Sequence, residues 1–407
     1  MQQNFSIKIA QSREQIAINN ATLGNAGYLP SLNLTGSYSG TINDTRSEAR
    51  ESGDVTRTDG VHNNTLNAGL NLSWTLFDGL LIQTNYEKLQ EMKRMGALQT
   101  RYSIENYIAQ LSAAYYNNIT QVRRLRTFHY AVQLSRERLR IVETRYEVGE
   151  SSRLDLQQAR VDFNADSSKW LKQVESVKTS QYNLSRIMAL RDVYTILSPA
   201  SFEYDINYQL QGDELLERTM NANSQLLLSA RNKQLSALDL KAAQSRNYPY
   251  VRTNAGYGYT LNQYEIAANR NQHTLGFNYG LTVGMTLFDG LNRSREQKNA
   301  RIAIMNAENQ HQELEISLRT DLATFFEAYK NYISLVSLEQ KNLTVAQENY
   351  EIAMERYKLG SLAGIELREA QKSLLDAEER LITAEYNTKL CEISLLQLSG
   401  QLPDLIQ

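Results

Sequence analysis

The residues best placed to do chemistry in this 407-residue chain are carboxylates beside two glycine turns. Asp155 and Glu366 stand 211 positions apart in matching contexts, and Glu369 follows Glu366 by one turn on the same helix face. Copies of such residues set around an axis would form rings of carboxylates. Two carboxylates about 7 Å apart repel by roughly 2 kcal/mol at an effective dielectric near 20, enough to move a titration by more than one unit. A ring of that kind favours cations and responds to pH and divalent ions. The plainer role is that acidic residues in a first helical turn complement the helix dipole. For Glu366 the two roles weigh equally. No nucleophile–base pair or phosphate-cradling loop stands out, so the chain is not expected to be an enzyme. His62, His129, His273 and His311 are scattered without ligand spacing, so neither a metal site nor a cofactor is expected. The lone Cys391 sits in an apolar run and reads as a small buried side chain.

The elements that hold these carboxylates are unusually long. From Leu291 to Leu359 there is no Gly or Pro, and apolar residues recur at helical spacing (Leu314, Leu318, Leu322, Phe325, Tyr329, Tyr332). At 1.5 Å per residue this stretch predicts a rod of about 100 Å, far beyond an ordinary helix of three or four turns. Gly360 ends it as a C′ residue would. Leu80 to Val148, ending at Gly149, has the same length. Phe77-Asp78-Gly79 and Phe288-Asp289-Gly290, Gly149 and Gly360, Ala159 and Ala370, and Leu184 and Leu395 all share one offset of 211. A gapless offset over more than a hundred residues marks a tandem repeat.

Each copy reads as helix, strand, polar loop, strand, long helix, tip, helix. Copy one covers 1–189, with a hairpin over 31–77, a long helix over 80–148, a tip at 149–153 and a helix over 154–189. A waist segment occupies 190–212 and carries Pro199. Copy two covers 213–400, with a hairpin over 250–288, a long helix over 291–359, a tip at 360–364 and a helix over 365–399. A tail follows at 401–407. Within the hairpins, Gly40 to Asn64 and Asn262 to His273 read as polar loops. The opening helices are expected over Phe5 to Ala26 and Asp213 to Arg246. Asn223 aligns with Asn4, which implies that about twenty residues of the first helix, and any signal before them, are missing. Gln2-Gln3-Asn4 offers no signal peptide.

Net charge is −2, from 43 basic and 45 acidic residues, so no global field favours nucleic acid. Mean hydropathy is −0.49 and no run of eighteen apolar residues occurs, which excludes a helical span. The strands tell a different story. Leu32, Leu34, Gly36 and Tyr38 alternate with polar residues, as do Leu66, Ala68, Leu70, Leu72, Trp74 and Leu76, at the length and period of membrane β-strands. Tyr28, Trp74, Phe77, Tyr250 and Phe288 gather at one end of the strands, as an aromatic girdle at the lipid interface would. Four strands leave open edges that lipid does not tolerate, and three chains would close twelve.

Gly27-Tyr28-Leu29-Pro30-Ser31-Leu32, both Phe-Asp-Gly turns and both Arg-Tyr-x-x-Gly tips, followed by Ala159-Arg160 and Ala370-Gln371, resemble the TolC-like outer-membrane efflux proteins over essentially the whole chain. That resemblance implies a membrane α+β fold. It would be a homotrimer with a twelve-stranded outer-membrane β-barrel, four strands per chain, continuous with a long periplasmic α-helical barrel. It also implies a passive exit duct docked to a periplasmic adaptor (membrane fusion) protein and an inner-membrane pump. Asp155, Tyr357, Glu366 and Glu369 match its periplasmic gate. Val148, Gly149, Leu359 and Gly360 match its adaptor-contacting tips. The family's gate arginine falls at Leu362, and Arg153 or Arg368 are the candidates to replace it. The competing expectation is a soluble coiled-coil scaffold of the envelope, which would not need lipid-length strands.

Overall fold

The computed structural model describes residues 4–50, 52–192, 194, 201–266 and 269–402. The waist residues Thr195-Ile196-Leu197 and Pro199, and the tail from Pro403, lie outside them. The chain divides into two units, one of Met1–Glu14, Gly96–Ala230 and Gln310–Gln407, the other of Gln15–Met95 and Arg231–Asn309. Its elements are α1 (Phe5–Asn20), α2 (Leu23–Ala26), β1 (Ser31–Glu48), β2 (Val55–Phe77), α3 (Leu81–Glu147), α4 (Arg153–Ile187), α5 (Gly212–Ala222), α6 (Ser224–Ser245), β3 (Tyr250–Tyr264), β4 (Asn271–Gly284), α7 (Asn292–Lys358) and α8 (Gly364–Leu398).

The internal repeat governs the backbone down to single residues. Helices α3 and α7 are both 67 residues long, and α4 and α8 are both 35. Positive φ recurs at the same offset: Gly79 and Gly290, Leu80 and Leu291, Gly149 and Gly360, Ala189 and Gly400. Asp78 accepts the Ile82 amide and Asp289 accepts the Arg293 amide, so each Phe-Asp-Gly turn caps the long helix that follows it. Asn4 and Asn223 behave alike as well. Each side-chain oxygen accepts two amides at the start of its helix, and each Nδ2 donates to the last carbonyl of a neighbouring helix, Ile187 or Leu398.

The opening helices break where single helices were expected. α1 stops at Asn20 and Thr22 caps the short α2, while α5 and α6 are separated by Asn223. Asn and Thr favour caps because their short side chains satisfy free amides at a new helix start. The polar loop expected over Gly40 to Asn64 is a further correction. β1 and β2 pair in register from Ser31↔Ser73 out to Glu48↔Val55, with one bulge at Asn43/Thr45. Polarity there reports solvent on both faces, but the ladder is held by backbone hydrogen bonds that polar side chains do not disturb. Likewise β3 and β4 pair from Tyr250↔Gly284 to Gln263↔Asn271, so Phe288 lies past the end of its strand.

The four strands form one antiparallel sheet in the order β1-β2-β3-β4. β2 pairs with β3, which joins the two copies, and β1 and β4 are each paired on one side only. Register places Leu34, Leu70, Tyr257 and Phe277 together on one face, and Asn33, Asn71, Gly256 and Asn278 on the other. The apolar face is exposed: Leu34 is 79 % exposed and Tyr279 is 82 %. Among the described residues no helix is long and apolar enough to cross a membrane.

Candidate functional site: the helical tips

Both long helices end in the same backbone motif. Gly149 donates to the Tyr146 carbonyl and Glu150 to the Arg145 carbonyl; Gly360 donates to Tyr357 and Ser361 to Arg356. This is the Schellman arrangement, which needs a left-handed residue at its turn. Gly149 and Gly360 supply it at φ +81° and +77°, with no atom near enough to crowd an added Cβ. Glycine is required here by conformation rather than by space. Val148 and Leu359 project outward at 66 % and 83 % exposure.

Beneath the tips lies an apolar cluster of Val142, Leu156, Ala159, Tyr350, Ala353, Tyr357, Leu367, Ala370 and Leu374. It packs the first copy's α3 and α4 against the second copy's α7 and α8. Tyr357 is thus a core residue, and burial raises its phenol pKa while Arg145 opposes the shift. The Arg145 guanidinium stands 4.9 Å from the Tyr357 ring centre. It also donates to the Tyr357 carbonyl at 2.6 Å and the Lys358 carbonyl at 3.2 Å. One α3 side chain therefore clamps the C-terminus of α7 through both dipole and ring.

The expected acidic residues divide into two kinds. Asp155 completes a capping box: its carboxylate accepts the Ser152 hydroxyl at 2.6 Å and the Ser152 amide at 3.2 Å, while Ser152 Oγ accepts the Asp155 amide. These bonds, the hydroxyl first, hold the Asp155 carboxyl below its ordinary range. Glu366 reaches back to the Ala363 amide at 3.0 Å, so the end-of-helix role is realised at both repeat positions. Glu369 is exposed. Asp155 makes no hydrogen bond to Tyr357 among the described residues.

Leu362, standing where the family's arginine was expected, packs against the apolar cluster. Arg368 makes the polar link instead, a bidentate pair with Asp166 at 2.7 and 3.0 Å. Asp166 is 3 % exposed, and its hydrogen bonds raise the pKa of Arg368 further. Nearby, Arg138 pairs with Asp162, which also accepts from Gln158 at 3.1 Å. Together Arg138, Arg145, Asp155, Asp162, Tyr357 and Arg368 line a cleft of about 630 Å³. Asp162 and Asp166 escaped the sequence reading, and Arg145 entered it only as part of the tip motif. An Arg or Asp on a long charged helix carries no local mark of its partner, and these partners lie up to 213 residues away.

The aromatics expected at the lipid interface are also divided. Trp74 Nε1 donates to the Tyr28 carbonyl at 2.9 Å, and Tyr28 meets Tyr86 edge to face. Phe77 ends β2. Tyr250, by contrast, pairs with Gly284 on the polar face of the sheet, because its register position has the parity of Arg252 and Asn254.

The family model described as outer membrane efflux protein matches residues 1–190 and 215–401. The outer membrane protein TolC of Vibrio cholerae serotype O1 is 22 % identical over 405 residues, covering 98 % of this chain and 88 % of that protein. The outer membrane efflux protein BepC of Brucella suis is 20 % identical, covering 98 % and 83 %. The crystal structure of the Campylobacter jejuni CmeC outer membrane channel superposes with a TM-score of 0.80 at 18 % identity, covering 98 % of this chain and 83 % of that one.

Proposed function

The chain belongs to the outer membrane efflux protein family, an outer-membrane protein with its helical part in the periplasm, and from that premise we propose that three copies form a passive, non-enzymatic exit duct gated at the helical tips. The observation that carries this reading is the sheet: four strands with two unpaired edges and one exposed apolar face. In lipid every backbone group must be paired, so β1 of one copy must join β4 of the next until the barrel closes. Three copies give twelve strands.

The helices support the same closure. Leu338, Val345 and Ile352 repeat every seven residues along α7 and are 52 %, 64 % and 59 % exposed, and Leu359 continues the spacing just past its end at 83 %. The repeat equivalents of Val345 and Ile352, Leu134 and Ile141 on α3, pack against the tip cluster inside the protomer. Heptad spacing is that of a helix seam. The second copy thus presents a seam whose other half comes from another chain.

At the tips, the Arg368–Asp166 pair and the Arg145 clamp hold the closed arrangement, and Glu369 from each copy faces the entrance as the acidic ring. A periplasmic adaptor contacts Val148, Gly149, Leu359 and Gly360, and an inner-membrane pump delivers the substrate. The test is extraction and planar-bilayer recording: detergent-solubilised trimers should conduct in discrete steps. A monomer recovered in the soluble fraction without detergent would overturn the duct and leave the envelope scaffold.

A further inference from the structure

Up to the Asn43/Thr45 bulge, the paired stretches 31–43, 61–77, 250–264 and 271–284 hold one Asp, Glu, Lys or Arg among them, Arg252; Arg46, Glu48 and Arg57 pair only beyond the bulge, at the far end of the sheet. Arg252 lies on the polar face, which apart from Val61 is otherwise amides, hydroxyls and glycines. The amides there bond to hydroxyls across strands: Asn71 to Thr35 at 2.8 Å, Thr65 to Asn262 at 2.9 Å, Thr260 to Asn67 at 2.8 Å. Arg252 is also positioned. Its guanidinium stands 4.6 Å from the centre of the Tyr250 ring. That ring lies over Gly284, where an added Cβ would meet it at about 2.5 Å. Glycine at 284 makes the space, the ring fills it, and the ring carries the cation. The acidic residues of the adjoining turns are engaged elsewhere. Asp289 pairs with Arg293, and Asp78 accepts the Ile82 amide.

An ionisable residue at membrane depth is costly unless it faces water, and one in an uncharged wall has nothing to cancel its field. Resting on the trimeric barrel above, with the polar face inward, we propose that Arg252 of each chain forms a ring of fixed positive charge near the periplasmic end of a neutral lumen, which raises the local concentration of small anionic solutes. The barrel ring and the acidic tips then select opposite charges. Rings of arginine act this way in anion pores.

The test is the reversal potential of the full-length channel in planar bilayers under a KCl gradient. For three unit charges about one Debye length from the axis, Arg252→Gln should raise the potassium-to-chloride permeability ratio about fivefold. Arg252→Glu should raise it further, and Arg252→Lys should keep the wild-type value. Unchanged ratios in the Gln and Glu channels, or a Lys channel that shifts as far as Gln, would overturn the ring. A second measurement needs no change at Arg252. In a Glu369→Ala channel, which removes the tip carboxylate, chloride preference should grow as KCl falls from about 1 M to about 0.1 M, because screening weakens. A ratio that ignores salt there also overturns it. Failure of the wild-type chain to conduct at all would instead refute the barrel on which the ring depends.

Discussion

Replacing Asp166 tests the tip lock most directly. Its carboxylate is nearly sealed from solvent at 3 % side-chain exposure and holds both terminal nitrogens of Arg368, whose side chain is 24 % exposed. Asp166→Ala leaves that guanidinium half-buried and unpaired, the costly way to break a buried pair, for which losses of about 3–5 kcal/mol are typical. Arg368 retains a path to water, so about 2–3 kcal/mol is the expected loss. The pair ties α8 to α4, and if it exists only with the tip closed, the closed-to-open ratio falls about 30- to 150-fold. Single-channel recording reads this as a rise in open occupancy, and amide exchange reads it as faster opening of residues 360–368. The double exchange Asp166→Arg with Arg368→Asp should recover part of the closed state. A channel whose open occupancy and tip exchange match the wild type in Asp166→Ala would refute the assignment of this pair as the lock.

Three further outcomes follow from the geometry. Ser152→Ala should cost about 1 kcal/mol at the start of α4. Because Ser152 holds the Asp155 pKa below its unfolded value, this contribution is full above the ordinary Asp range and is lost as pH falls through the lowered folded value. Amide exchange at residues 153–157 against pH should show the loss in wild type and not in the variant. Glu369→Ala should weaken block of the channel by divalent cations, and an unchanged block in planar bilayers would remove the acidic ring. Gly290→Ala should cost about 1–2 kcal/mol from its φ of +69° alone. Gly79→Ala at φ +73° adds a collision with the Ser245 carbonyl and the Tyr248 side chain. Thermal unfolding in detergent should therefore show a far larger fall for the first copy's turn than for the second's.

Much of the architecture is written locally. Two long helices without Pro, closed by Gly149 and Gly360, are read from sequence because helix ends obey near-neighbour rules of capping and left-handed φ. Period-two alternation revealed the apolar strand faces for the same reason. Where the signal was composition alone, it misled: the polar residues of 40–64 looked like a loop, yet their backbones pair to Glu48↔Val55. Tyr250 looked like a lipid-facing aromatic until register set it on the polar face beside Arg252.

The sequence by itself determined the repeat, its 211-residue offset, the tip turns and the carboxylates beside them, since each is specified by residues within one or two turns of itself. Only the tertiary structure decided what those tips are fastened to. It turned Asp155 and Glu366 into helix caps, buried Tyr357 under Arg145, packed Leu362 against the apolar cluster, and gave Arg368 to Asp166, 202 residues away. Charged side chains on a long helix have many partners within reach of composition and few within reach of space. Packing of one copy against the other makes that choice, and no local pattern encodes it.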